Sequence, residues 1–105
     1  MENCFYHLKE LPTEIFRVGK PAPNMPMEGP KDKIKWSGDI WPIPAIGTRV
    51  KANINGLGWG TVAEYFTEYN WLGVYVKLEN RPQWHREQNP DRDYCMVFGL
   101  EISLE

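Results

Sequence analysis

Residues 47–65 alternate between apolar and polar positions around a glycine-containing turn, Gly47-Thr48-Arg49-Val50-Lys51-Ala52-Asn53-Ile54, then Asn55-Gly56-Leu57-Gly58, then Trp59-Gly60-Thr61-Val62-Ala63-Glu64-Tyr65. Val50, Ala52 and Ile54 share one side of an extended chain, and Arg49, Lys51 and Asn53 the other. A period of two buries one face and wets the other, so the run predicts a β-hairpin. Further strands are predicted at 71–78, 94–98 and 100–103, beside the hairpin strands at 48–54 and 59–66. In the third, Val74, Val76 and Leu78 alternate with Gly73, Tyr75 and Lys77, which predicts a half-buried strand with Tyr75 on its outer face. Residues 79–93 show no period and carry Pro82 and Pro90, so they read as a loop of a length often used for function.

The first part of the chain has a different texture. Seven of the nine prolines precede residue 45, which predicts an extended arm from Lys20 to Lys35 rather than regular structure. Ahead of it, Asn3 is placed to cap a short helical turn through Leu8 and Leu11, and Thr13 to Val18 suits an edge strand. The expected organisation is an N-terminal extension over residues 1–45 and a β domain over 46–105. Ile34, Trp36, Ile40 and Trp41 are the residues with which the extension would cover an open end of that domain. Exchange of the arm with a second copy would instead make a dimer, and its prolines could also serve as a ligand for another module.

Gly47-x-x-Val50-x-Ala52, Gly58-x-Gly60-x-Val62, Val74-x-Val76 and Val97-Phe98-Gly99-x-Glu101-Ile102 together resemble the SH3-like superfold as used in Tudor, KOW and related small modules. The resemblance covers roughly residues 46–103 and implies a mainly-β, five-stranded SH3-like barrel, with a 3₁₀ turn at Gly99 between the last two strands. The overall texture is also similar to that of short bacterial or phage-borne proteins.

A length of 105 residues bounds the chain to one domain, and five Trp, five Tyr and four Phe provide a core without metal or disulfide. The net charge of −2 argues against a general affinity for nucleic acid. Met1 to His7 lacks the basic start and apolar core of a secretory leader, so a cytoplasmic location with reduced Cys4 and Cys95 is expected.

Few residues point to catalysis. Gly56-Leu57-Gly58-Trp59-Gly60 is followed by a strand and lacks Gly-Lys-Ser/Thr, so it reads as a turn with close strand packing at Gly60, not a phosphate loop. Cys4-x-x-His7 with His85 and Cys95 lacks the tight second pair of a structural zinc site. Neither Cys95 with His85 nor the pairs Glu64/Glu68 and Asp91/Asp93 carry a mark of a positioned nucleophile or acid–base couple. No cofactor, metal or catalytic residue is expected.

The aromatics are the stronger lead. Trp59 and Tyr65 read as core, whereas Tyr69, Trp71, Tyr75 and Trp84, joined by Arg86, are the candidate ligand-binding residues. In SH3-like folds such aromatics line peptide grooves or ammonium cages, which implies a non-catalytic protein- or peptide-binding module. The alternative is a nucleic-acid accessory module of KOW or Tudor type, with a basic stripe at Arg49, Lys51 and Lys77. Residues 79–93, however, hold three arginines against four acids, so the local field is not positive. A small enzyme is the third reading.

Overall fold

The computed structural model describes residues 6–11, 14–17, 33–38, 40–68 and 70–104, with side chains from Leu8 onward. The expected cap Asn3, the candidate Tyr69 and the proline run 20–32 lie outside the described residues. Among the described residues the chain is mainly β, with eight strands in one mixed sheet and one short helix. The strands are β1 (Tyr6–Leu8), β2 (Phe16–Arg17), β3 (Lys35–Trp36), β4 (Arg49–Ala52), β5 (Gly58–Glu68), β6 (Trp71–Leu78), β7 (Tyr94–Phe98) and β8 (Ile102–Ser103). The helix, α1 (Gln83–Gln88), lies between β6 and β7, and a 3₁₀ turn at Gly99–Glu101 separates β7 from β8. None of the described helices is long and apolar enough to cross a membrane.

The hairpin forms where alternation places it. Arg49, Val50, Lys51 and Ala52 pair with Thr61, Gly60, Trp59 and Gly58. The Leu57 N–H donates to the Ile54 carbonyl at 3.1 Å. Asn55 and Gly56 between them have φ of 55° and 72°, the left-handed pair that a type I′ turn requires. The absent side chain of Gly60 leaves room for the Lys77 carbonyl and the Val76 methyl of the neighbouring strand.

A long antiparallel meander forms the body: β7 pairs with β6, β6 with β5, β5 with β4, and β8 returns to the far side of β4. The expected barrel is not what results. The sheet stays open, its strand order running β2-β3-β6-β5-β4-β8 from one end to the other. The two parallel pairs, β2 with β3 and β3 with β6, make it mixed and extend it beyond the meander.

Three further expectations are corrected. Tyr6–Leu8 is a strand rather than part of a capped helical turn, because β5 outruns β4 and leaves backbone at Tyr65–Thr67 for β1 to pair with. Residues 79–93 are not wholly loop: Pro82 starts α1, its carbonyl accepting from the His85 and Arg86 N–H groups at 3.0 and 3.1 Å, and Asn89-Pro90 ends it. Six residues are too few to display a helical period. Lastly, β6 is buried on both faces from Trp71 to Val76, not on one.

An irregularity between Val62 and Glu64 explains the two faces. It shifts the β5–β6 register by one residue, so that Val62 and Tyr65 both face the main core while Glu64 and Phe66 face the other way. The main core gathers Val50, Ala52, Val62, Leu72, Val74, Val76, Val97 and Ile102 around the fully buried Trp36. Polar ends of its rings are satisfied: Trp36 Nε1–H donates to the Ile40 carbonyl at 3.0 Å, and the Tyr65 hydroxyl to the Pro44 carbonyl at 2.7 Å. The opposite face is an aromatic layer in which Phe66 meets Tyr75 and Phe98 edge-on at 5.3 and 5.4 Å, and Tyr75 meets Tyr94 at 5.1 Å.

Residues from the first 45 enter this same structure. β1, β2 and β3 join the sheet, Ile34 and Ile40 pack against the core, and only Trp41 of the four expected covering residues stands half exposed. Backbone touches backbone where Gly38 meets Gly99, and the buried Ser37 hydroxyl accepts from the Leu100 N–H at 3.2 Å.

Candidate functional site

The structure separates the candidate residues. Trp71 is 3% exposed at the start of β6, with the Lys35 ammonium over its ring at 5.2 Å. Tyr75 does lie opposite Val74 and Val76, but it is 5% exposed, because the face it occupies is the aromatic layer rather than open surface. Burial, then the charges of Tyr94 and Glu64, push its phenol above the ordinary value. Trp84 and Arg86 follow the far end of β6, which at ~3.3 Å per residue puts them roughly 23 Å of strand away from Trp71. The cavity that Trp84 lines does not include Trp71. On α1 itself Trp84 and Arg86 are two residues apart, a spacing that sends side chains to different sides of a helix.

What does come together is a site around α1. Trp84 is 37% exposed, and its ring meets that of His85 edge-on at 5.6 Å. The two rings, with Leu57 of the hairpin turn, Cys95 and Met96 of β7, and the Arg92 side chain, wall an open cavity of about 200 Å³. A second, polar hollow of about 380 Å³ adjoins it, formed by Gln88 to Arg92 and Tyr94. The Arg92 guanidinium lies over the Tyr94 ring at 5.5 Å and makes no ion pair among the described residues.

α1 is held by its buried histidine. His85 is 4% exposed, with Nε2 3.2 Å from the Tyr94 carbonyl and Nδ1 3.3 Å from Arg81 Nε. Arg81 also donates through Nη2 to the Asn89 carbonyl, so one side chain spans the helix from before its first turn to beyond its last. The Tyr94 carbonyl belongs to β7, whose ladder among the described residues is with β6 alone; α1 therefore covers a sheet edge. Sequence reasoning placed His85 and Arg92 in a loop, weighing His85 as a zinc ligand or a partner of Cys95 and Arg92 as one of three loop arginines. The Pro82 start and the Asn89-Pro90 stop were the available signals for the helix that positions them.

Cys95 sits beside His85 in the same wall, but burial, assisted by the charge of Glu101, pushes its thiol up to about 12. At neutral pH it is a thiol, whereas a nucleophile or metal ligand is a thiolate. Among the described residues no group of three or more His, Cys, Asp or Glu is arranged to hold a metal.

The basic stripe exists in outline and is largely neutralised. Arg49 forms a two-pronged ion pair with Glu79, at 2.7 and 3.0 Å, while stacking on Trp59 at 4.3 Å. That pair holds the Glu79 carboxyl below its ordinary value. Lys77 lies 3.9 Å from Asp93, which leaves Lys51 as the cation of the three without an acid beside it among the described residues. Comparison with protein-family models, with curated proteins and with solved structures finds no match to this chain.

Proposed function

We propose that this chain is a non-catalytic protein- or peptide-binding module of SH3-like build, with the cavity between α1 and β7 as its groove. The SH3-like reading is supported by the antiparallel order β7-β6-β5-β4-β8 and by the 3₁₀ turn before the last strand. One observation carries the binding reading: a half-exposed Trp84 overhangs an apolar cavity whose rim holds an arginine without a carboxylate partner. The ligand that fits is a peptide segment with an apolar side chain next to a carboxylate. The apolar group fills the cavity against Trp84 and Met96, and the carboxylate takes a charge-assisted hydrogen bond from Arg92. Arg86, on the same helix as Trp84, keeps a place only as a flanking contact; the buried Trp71 and Tyr75 support the fold.

Selection from a random displayed peptide library against the full chain tests this. Enriched sequences are expected to pair an apolar residue with an acid, and Trp84→Ala or Arg92→Gln to weaken their binding about tenfold or more with circular dichroism unchanged. Trp71→Ala is expected to cost about 3–5 kcal/mol of stability instead. Peptides that bind Trp84→Ala as well as the parent chain would remove the groove from consideration.

A further inference from the structure

We infer that His85 and Arg81 form a pH-sensitive latch that holds α1 against β7. As the regulation of the peptide groove this rests on the binding reading above; the latch itself does not. Both ring nitrogens of the buried imidazole are in use, and their partners dictate the proton's position. The Tyr94 carbonyl 3.2 Å from Nε2 can only accept, so Nε2 carries the hydrogen. Arg81 Nε, 3.3 Å from Nδ1, can only donate, so Nδ1 must be the bare, accepting nitrogen. The arrangement therefore exists only with a neutral imidazole. A second proton on Nδ1 turns an acceptor toward a donor that cannot reverse, and sets two cations side by side.

The surroundings offer a charged imidazole no compensation. Facing it are the Arg81 guanidinium from the segment before α1, Arg92 from the following loop, and the Cys95 thiol and Tyr94 from β7. Within α1, Arg86 is a further cation and Glu87 is hydrogen-bonded to Gln83 at 2.8 Å. Asp91 lines the adjoining hollow, and among the described residues no acid lines the cavity that holds His85. The carbonyl end of a helix ordinarily welcomes a cation, but Arg81 already occupies that place through the Asn89 carbonyl. Charging His85 displaces Arg81, and with it the side chain that ties the two ends of α1. Trp84, on the same helix, then leaves the cavity wall. The groove is assembled while His85 is neutral and loosened once it carries a second proton.

The test uses the full chain without any peptide. Imidazole ¹⁵N shifts at pH 7.5 are expected to show His85, told apart from His7 by His85→Gln, with hydrogen on Nε2 and none on Nδ1. Between pH 7.5 and 5.5, amide exchange of residues 83–88, corrected for intrinsic rates and measured against β5 and β6, is expected to accelerate about tenfold, the equivalent of one hydrogen bond. His85→Gln presents an acceptor and a donor that do not titrate, so its helix stays protected at both pH values. Arg81→Met leaves the helix loose at both. An Nδ1–H tautomer, an imidazole that charges while the helix stays protected, or a pH step that survives in His85→Gln each overturns the latch. The shifts and exchange of the parent chain decide the matter even where a variant fails to fold. An empty peptide selection bears on the groove and leaves the latch untouched.

Discussion

Replacing Gly99 by alanine tests whether residues 33–38 belong to the same folding unit as the meander. A β-carbon on Gly99 comes 2.6 Å from the Gly38 backbone nitrogen and 2.9 Å from two atoms of the Trp36 indole. Ordinary contact begins near 3.4 Å, so the turn and the Gly38 backbone must part by about 0.8 Å (3.4 − 2.6). Neither neighbour yields easily. One is backbone, and the other is a fully buried ring whose Nε1–H is committed to the Ile40 carbonyl. Inserting one methyl into such packing costs about 1–3 kcal/mol, and a rigid backbone places this site toward the upper end. For a chain of this size that lowers the melting temperature by roughly 10 °C or more.

Gly38→Ala approaches the same contact from the other side, its β-carbon 2.8 Å from the Gly99 carbonyl oxygen, and is expected to cost a similar amount. Because either methyl forces the same two backbones apart, the double substitution should cost clearly less than the sum. Urea unfolding, followed by tryptophan fluorescence and by far-ultraviolet circular dichroism, gives all three values. Should both single variants stay within about 0.5 kcal/mol of the parent, the range of an inconsequential surface change, the contact does not exist in solution. Residues 33–38 would then be joined to the meander only through β3 and Trp36, not through the two glycines.

Two further outcomes follow from buried groups. In a Cys4→Ser background, Cys95 should resist iodoacetamide at pH 8, since a thiol titrating at about 12 holds roughly a thousandfold less thiolate there than one at the ordinary 9.0. Its folded value lies above its unfolded one, so its contribution to stability is intact below pH 9 and is lost as pH rises from 9 toward 12; rapid native-state labelling at pH 8 contradicts this. Tyr65→Phe should lose about 1–2 kcal/mol in urea unfolding, because it removes the 2.7 Å hydrogen bond and leaves the buried Pro44 carbonyl without its donor; an unchanged midpoint means that water reaches that carbonyl.

The strands were legible in the sequence wherever one face had to be buried and the other wet. Val50 and Ala52 turn inward and Arg49 and Lys51 outward, as their alternation requires. The limits of β6 and β7 fall at 71–78 and 94–98, where apolar periodicity puts them. Features that depend on a single residue out of step were hidden. The bulge beside Ala63 reverses the parity of β5, and the partner of β1 is a stretch of β5 backbone left over by a shorter neighbour. A six-residue helix has less than two turns in which to show a period.

The binding residues were the least legible part, for a reason that Tyr75 makes clear. Alternation assigns a side chain to one of two faces, but what covers that face comes from elsewhere in the chain. Tyr75 is opposite the main core as expected, yet Phe66 reaches it from β5 and Tyr94 from β7, and the outer face becomes a second buried layer. Trp84 escaped the same fate because it lies on α1, beyond the end of β6, where no strand among the described residues covers it. An aromatic whose face is flanked by other aromatics of the meander is thus spent on the fold whichever way it points. One carried outside it on a short helix remains free to meet a ligand, provided that something else pins the helix. In this chain that task falls to His85, which binds the β7 edge in the manner of a missing strand.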